Sequence, residues 1–351
     1  MSGCQATVGI SAFLEKEISK GADSWLKKVV HLRFLTLLLL PGVANLAGAQ
    51  TLGIPIRATH APTGSEFVQR IAPLDLTSRE WEIFSQITSG NVPGFFRKLC
   101  PVSVTNVVEG KTNFATFFAA PEYLAVGSDE DYFLVPMTPT TAQRVADQLG
   151  CTLPTRKMVN DIYTAADVKL APLPIPPGPG MITVPVFAQH NTIVQTQRWA
   201  ELAVHPPGAL VAGDKKDVVI TARLANSPGK AAIYGWHKTN RVAIQPLYLG
   251  HTNTWVDDSH GIRLVQQQMT VNGSAATVAE VLANPELAGL LSDEVVVANP
   301  RYPTNALIPL PGSIETITKP APANALAPNM TVWSNCGSGR NQTLALASAA
   351  G

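Results

Sequence analysis

Apolar positions recur with two periods along this chain, and the two together predict a mixed architecture. Trp81, Phe84 and Ile87 fall at intervals of three behind Asp75-Leu76-Thr77-Ser78-Arg79-Glu80, which predicts a helix capped by Thr77 or Ser78 and ended by Gly90-Asn91. Met158, Ile162 and Ala165 or Ala166 line one side of a second helix over 156–166, and Thr140-Thr141 opens another over 142–149. Two-residue alternation between Gly, Asp and Pro breaks predicts strands at 102–108, 114–118, 123–126 and 132–135. In the second half the pattern predicts a strand at 182–187 and a helix over 190–202. Short strands follow at 218–221, 231–236, 242–248 and 262–269, then short helices at 277–283 and 285–291. Residues 50–75 are expected to be extended, because Pro55, Pro62 and Pro73 bar a long helix. Strands and helices interleave without regular alternation, so the expected class is α+β: a mixed or antiparallel sheet with helices packed on it.

A different pattern stands at the N-terminus. Lys27, Lys28 and Arg33 precede the apolar run Phe34-Leu35-Thr36-Leu37-Leu38-Leu39-Leu40, then Pro41-Gly42 and Ala47-Gly48-Ala49 before Gln50. A charged segment, a short apolar segment and small residues at −3 and −1 are the parts of a secretory signal peptide. The run falls short of the ~20 apolar residues of a permanent anchor. Residues 1–49 are therefore expected to be a removed leader with an upstream extension, and the protein secreted or periplasmic. Residues 50–299 form the expected globular domain, and 300–351, rich in Pro, Asn, Ala and Ser, an irregular tail. The proline-dense stretch 171–180 reads as a stiff strap that joins two lobes or as a surface loop of one.

Composition narrows the partners. Lys and Arg number 26 against 25 Asp and Glu, and no basic stripe forms, so nucleic acid is not expected. No second segment is able to span a membrane. Cys100, Cys151 and Cys336 remain after cleavage, an odd set that allows at most one bridge.

The candidate chemistry lies between Gly235-Trp236-His237 and Ser259-His260-Gly261. His251, Asp257, Asp258, Ser259 and His260 sit close together there; His237 is placed at a hairpin turn, far down the strand from His251, and contributes only if the return strand bends back at Pro246. Two mechanisms fit. In one, His260 is a general acid or base oriented by Asp257 or Asp258, with a distant nucleophile such as Cys151, whose pKa a following helix N-terminus would lower. In the other, His251 and His260 with an aspartate bind a divalent metal such as zinc that activates water. Trp236, Trp255 and Ser259 are the candidate substrate contacts. His60, His190 and His205 read as ordinary histidines, and Asp214-Lys215-Lys216-Asp217 as a solvated turn.

Ser259-His260-Gly261-Ile262-Arg263-Leu264-Val265 locally resembles the histidine-bearing strand of secreted cell-wall cysteine peptidases of the NlpC/P60 type. That family pairs such a histidine with an upstream Cys opening a helix. Here Cys151 follows a helix and the family's Asp-Cys-Ser motif is absent, so the likeness stops at these residues. The resulting expectation is an exported hydrolase acting on an amide, ester or glycosidic bond of an extracytoplasmic polymer such as cell wall. The alternative is an exported binding or structural module without catalysis. The enzymatic expectation requires the imidazole and carboxylate groups to meet in a hollow that solvent can reach.

Overall fold

The computed structural model describes residues 50–294 and 296–304. The expected leader, the tail from residue 305 and Cys336 lie outside the described residues.

The chain is α+β, as its patterning predicts. Six α-helices are described: α1 Gly64–Ile71, α2 Leu76–Thr88, α3 Pro139–Gln148, α4 Arg156–Ala165, α5 Val184–Glu201 and α6 Val278–Ala283. None of the described helices is long and apolar enough to cross a membrane. Helix α1 lies within the segment expected to be extended. Its cause is a capping box: the Thr63 hydroxyl accepts from the Glu66 N–H and the Glu66 carboxylate accepts from the Thr63 N–H. Phe67 and Ile71 then bury one face. Helix α2 is capped by the Asp75 side chain, not by Thr77 or Ser78. It buries Arg79, Glu80, Ile83 and Ile87, so its inner stripe is rotated away from Trp81 and Phe84. Glu80 is fully buried because Thr138 donates to it from both its N–H and its hydroxyl.

The largest sheet is built on the hairpin of β1 (Cys100–Val108) and β2 (Lys111–Ala119), with register Cys100↔Ala119 to Val108↔Lys111. The short strands β3 (Ala125–Gly127), β4 (Tyr132–Leu134), β5 (Cys151–Thr152), β6 (Val168–Lys169) and β7 (Val211–Ala212) follow, and a smaller four-stranded sheet carries His237 and His260. It contains β8 (Lys216–Val218), β9 (Ile233–His237), β10 (Ala243–Tyr248) and β11 (His260–Gly261) in the order β10-β9-β8-β11. Its β8–β11 pair is parallel, and the other two pairs are antiparallel. The predicted strand 182–187 is not formed: Pro179–Ile182 is a 3-10 turn and α5 begins at Val184 with Pro185 in its first turn, where a missing N–H costs nothing. The predicted helix at 285–291 reduces to a 3-10 turn at Ala288–Leu290.

One continuous apolar core draws on residues from both sides of the strap at 171–180, from Phe67 and Phe117 to Val256 and Leu264. The strap is extended and largely exposed, and its end is fastened where Met181 O accepts from the Asp258 N–H at 3.0 Å.

Candidate functional site

Parallel pairing of β8 with β11 sets Lys216 opposite His260 and Asp217 opposite Gly261. Side chains alternate across a strand, so Lys216 and His260 share one face while Asp217 lies on the other. The approach to β11 is fixed locally. Asp257 Oδ1 accepts from the Ser259 N–H at 3.1 Å and from the Ser259 hydroxyl at 2.6 Å, an aspartate turn that delivers His260 into the strand. Asp257 Oδ2 accepts from Trp255 Nε1 at 3.3 Å and lies 3.7 Å from His260 Nε2. Trp255 in turn stacks on His251, with ring centres 4.8 Å apart and planes 4° from parallel. His251, Trp255, Asp257, Ser259 and His260 thus form one continuous line of contacts. Expected members of the site do meet.

Behind them lies a group that the sequence did not announce. Lys215 is 1% exposed; its ammonium donates to Asp258 O at 2.9 Å and lies 3.1 Å from His190 Nδ1. His190, fully buried on α5, packs edge-on against Trp236. The Asp214–Asp217 segment is therefore no solvated turn: Asp214, Lys215 and Asp217 are all buried. Beyond Lys215 the charge continues through Glu122, Asp214, Asp217 and Arg263. Arg263 gives its two terminal nitrogens to Ala120 O and Val211 O and lays its guanidinium 4.2 Å above the Tyr123 ring. Tyr123 packs directly over Gly261, where any side chain would collide with it.

Burial dominates the electrostatics. It pushes His260 down to about 4 against the pull of Asp257, so the ring is neutral at pH 7. Burial raises Asp257, but His260, Lys216 and the hydrogen bonds from Ser259 and Trp255 outweigh it and hold the carboxyl well below the usual range. Asp258 moves the other way, to about 6, through burial and the adjacent Asp257 charge. Burial lowers Lys215 to about 8 despite Asp214 and Asp258, and, with Lys215 beside it, lowers His190 to about 2. Glu122 rises to about 8 through burial and Asp214, and Asp217 to about 7 through burial. Two adjacent carboxyls driven apart, Asp257 and Asp258, are the arrangement from which acid and base roles are built.

The enzymatic expectation required a hollow that solvent can reach, and at His260 and Asp257 the described residues leave no such opening. His260 is 0% exposed and Asp257 1%, while His251 and Trp255 are half-buried at the rim. Neither ring nitrogen of His260 has a hydrogen-bond partner among the described residues, and the same holds for Trp236 Nε1 and His190 Nε2. Such orphaned polar atoms are costly in a core and mark a place where another group completes the bonding.

Several expected roles change. Cys151 opens no helix; it lies in the two-residue strand Cys151–Thr152, 2% exposed, with its thiol pushed up to about 12 by burial, so it is no activated nucleophile. Cys100 and Cys151 are not bridged to each other. His251 and His260 do not form a metal centre: among the described residues no three His, Cys, Asp or Glu side chains are grouped to hold a metal ion. Ser259 donates its hydroxyl to Asp257 and is buried. Trp236 is a buried wall, 5% exposed, and Lys216 Nζ lies 5.1 Å from its ring centre. His237 stands apart from His251. His251 O accepts from the N–H of Ala231, two residues before β9 begins and about 20 Å of extended chain from His237. No family model, curated protein or solved structure matches this chain.

Proposed function

We propose that the chain is an exported hydrolase that cleaves an amide, ester or glycosidic bond of an extracytoplasmic polymer such as cell wall. His260 takes and returns the proton, Asp257, 3.7 Å from Nε2, offsets its charge, and Asp258 is the protonatable partner. Trp255 and His251 form the rim against which the polymer lies. The observation that carries this reading is the neutral His260 ring, with both nitrogens unpartnered, beside an ionised carboxylate. General acid–base catalysis needs that pairing, and perturbed groups gather at functional sites more than elsewhere. The leader-like N-terminus supports export.

One observation favours a second reading. His260 and Asp257 are sealed from solvent, as the polar core of a non-catalytic binding or structural module would be. Digestion of purified cell-wall polymer by the full chain, followed by mass spectrometry of released fragments, separates the two. Wild-type protein releases fragments and His260→Gln, at an unchanged unfolding temperature, does not. No release by the wild type, or equal release by the variant, removes the hydrolase reading.

A further inference from the structure

We propose that the open surface around Tyr248, His251 and Trp255 binds an acidic glycan, with a sugar ring stacked on Tyr248 and its carboxylate paired with Lys230. The inference deepens the hydrolase reading and rests on it for the presence of a polymer at this rim; what it adds is the polymer's chemical class. Unlike His260, these groups reach the surface, so a chain of sugars meets them without any opening of the fold.

A short loop builds the platform. Strand β10 ends at Tyr248, which is 44% exposed. Its ring meets His251 edge-on with centres 5.3 Å apart, and His251 stacks in parallel on Trp255. Gly250 stands there for this packing: its backbone is not left-handed, yet an added Cβ would overlap the Tyr248 phenol. Main-chain bonds pin the loop. The Ala231 N–H donates to His251 O at 3.0 Å, the Asn253 N–H to Gly229 O at 2.9 Å and the Trp255 N–H to Thr252 O at 3.0 Å. Rings fixed in advance lose little freedom when a ligand settles on them.

Three features select the ligand. An aromatic face is electron-rich and takes the polarised C–H face of a sugar ring. Between the His251 and Trp255 rings the loop carries Thr252, Asn253 and Thr254, neutral groups that both give and accept hydrogen bonds, as sugar hydroxyls do. The Thr252 and Thr254 hydroxyls already meet at 3.0 Å, and Thr252 is exposed. The third feature is charge of one sign. Residues 242–256 contain no Asp or Glu, and the acids that follow, Asp257 and Asp258, are 1% and 4% exposed. Lys230 sets its ammonium at the loop and donates to Gly250 O at 3.2 Å, which uses one of its three N–H groups. Lys216 also acts on His251, so two cations face the platform against one buried acid, Asp257. A sugar that carries a carboxylate answers all three features. A nucleic acid also offers ring faces and negative charge, but its phosphates call for more clustered cations than two lysines supply. From the platform, Trp255 Nε1 donates to Asp257, which lies 3.7 Å from His260, so bound sugar is one contact line from the proposed base.

The test is affinity electrophoresis of the full chain in native gels cast with peptide-free cell-wall glycan strands or with polygalacturonate, each as the free carboxylate and as its methyl amide. Expected is retardation by a carboxylate polymer and about fivefold weaker binding of its amide. Retardation by either polymer supports the proposal, and the stronger of the two identifies the source, wall glycan or uronic-acid chain. Tyr248→Ala, at an unchanged unfolding temperature, should weaken binding about fivefold, while Tyr248→Phe keeps it. Lys230→Gln should bind the acid and the amide alike, and Lys230→Arg should restore the preference. No retardation of wild type by either carboxylate polymer, equal retardation by the amide, or wild-type binding by folded Tyr248→Ala overturns the proposal. Fragment release is assayed separately: release without retardation removes this inference and leaves the hydrolase reading, and retardation without release does the reverse.

Discussion

Glu122→Gln isolates one electrostatic burden in the buried charge group. Glu122 is 3% exposed, its Oε1 accepts from the Tyr123 N–H at 2.9 Å, and burial together with the neighbouring Asp214 lifts its pKa from 4.5 to about 8. A carboxyl whose folded pKa is raised is fully tolerated below the unfolded value. As pH rises above 4.5 the unfolded chain releases the proton first, and stability falls until the folded pKa near 8 is passed. At about 1.4 kcal/mol per pH unit that interval amounts to roughly 5 kcal/mol, a large share of a typical domain's stability. Arg263 and Arg198 oppose the shift and are already included in it. Gln keeps the shape and the acceptor for the Tyr123 N–H but cannot ionise, so the variant loses this slope. Urea unfolding of both proteins at pH 5, 7 and 9 reads the difference directly. The two are expected to differ little at pH 5, and the variant to gain several kcal/mol over wild type by pH 9. A constant offset at all three values would refute the assignment of a buried, proton-holding Glu122.

The remaining expectations are narrower. Cys151, with its thiol pushed up to about 12 and almost no exposed surface, should resist Ellman's reagent at pH 7 in native protein and react once urea unfolds the chain; fast native labelling at Cys151 contradicts its burial. Gly261→Ala should lower stability by about 1–3 kcal/mol, because the new methyl would stand 2.5 Å from Tyr123 Cδ1 and 2.9 Å from Lys215 Cβ. A neutral effect in thermal unfolding would mean that Tyr123 is not held over β11. Thr63→Ala should cost about 1 kcal/mol through loss of the α1 capping box, read as a lowered urea midpoint with an unchanged m-value.

Local patterning made much of the fold legible. Helices α3 and α4, the β1–β2 hairpin and the β9–β10 hairpin all follow from periodicity and turn residues. Helix α1 was also legible in principle, since Thr63-x-x-Glu66 is a capping signature; the prolines around it drew attention instead. The strand expected at 182–187 failed because its apolar residues, Val184, Val186 and Phe187, suit a helix opening as well as a strand, and Pro185 favours the former.

The candidate site divides in the same way. Asp257, Ser259 and His260 are neighbours in sequence, and their contacts are local enough to be anticipated. Lys215 and His190 were not, because α5 and β8 meet only through tertiary packing. A run of alternating charge such as Asp214-Lys215-Lys216-Asp217 carries no mark that distinguishes a buried parallel strand from a solvated turn. Arg263 and Glu122 were hidden for the same reason: only the folded chain brings Glu122, Asp214, Asp217 and Arg263 together. Burial, which drives most of the shifted pKa values here, is a property of the whole fold.

The central claim is that His260 acts as a base whose affinity for a proton Asp257 sustains. Burial lowers His260 to about 4 and Asp257 raises it, so loss of the Asp257 charge must lower it further. The measurement is the acid limb of the pH–rate profile for polymer cleavage, in wild type and in Asp257→Asn. Expected is a wild-type half-maximum near pH 4 that moves to lower pH in the variant. A limb that stays in place, or moves to higher pH, contradicts it.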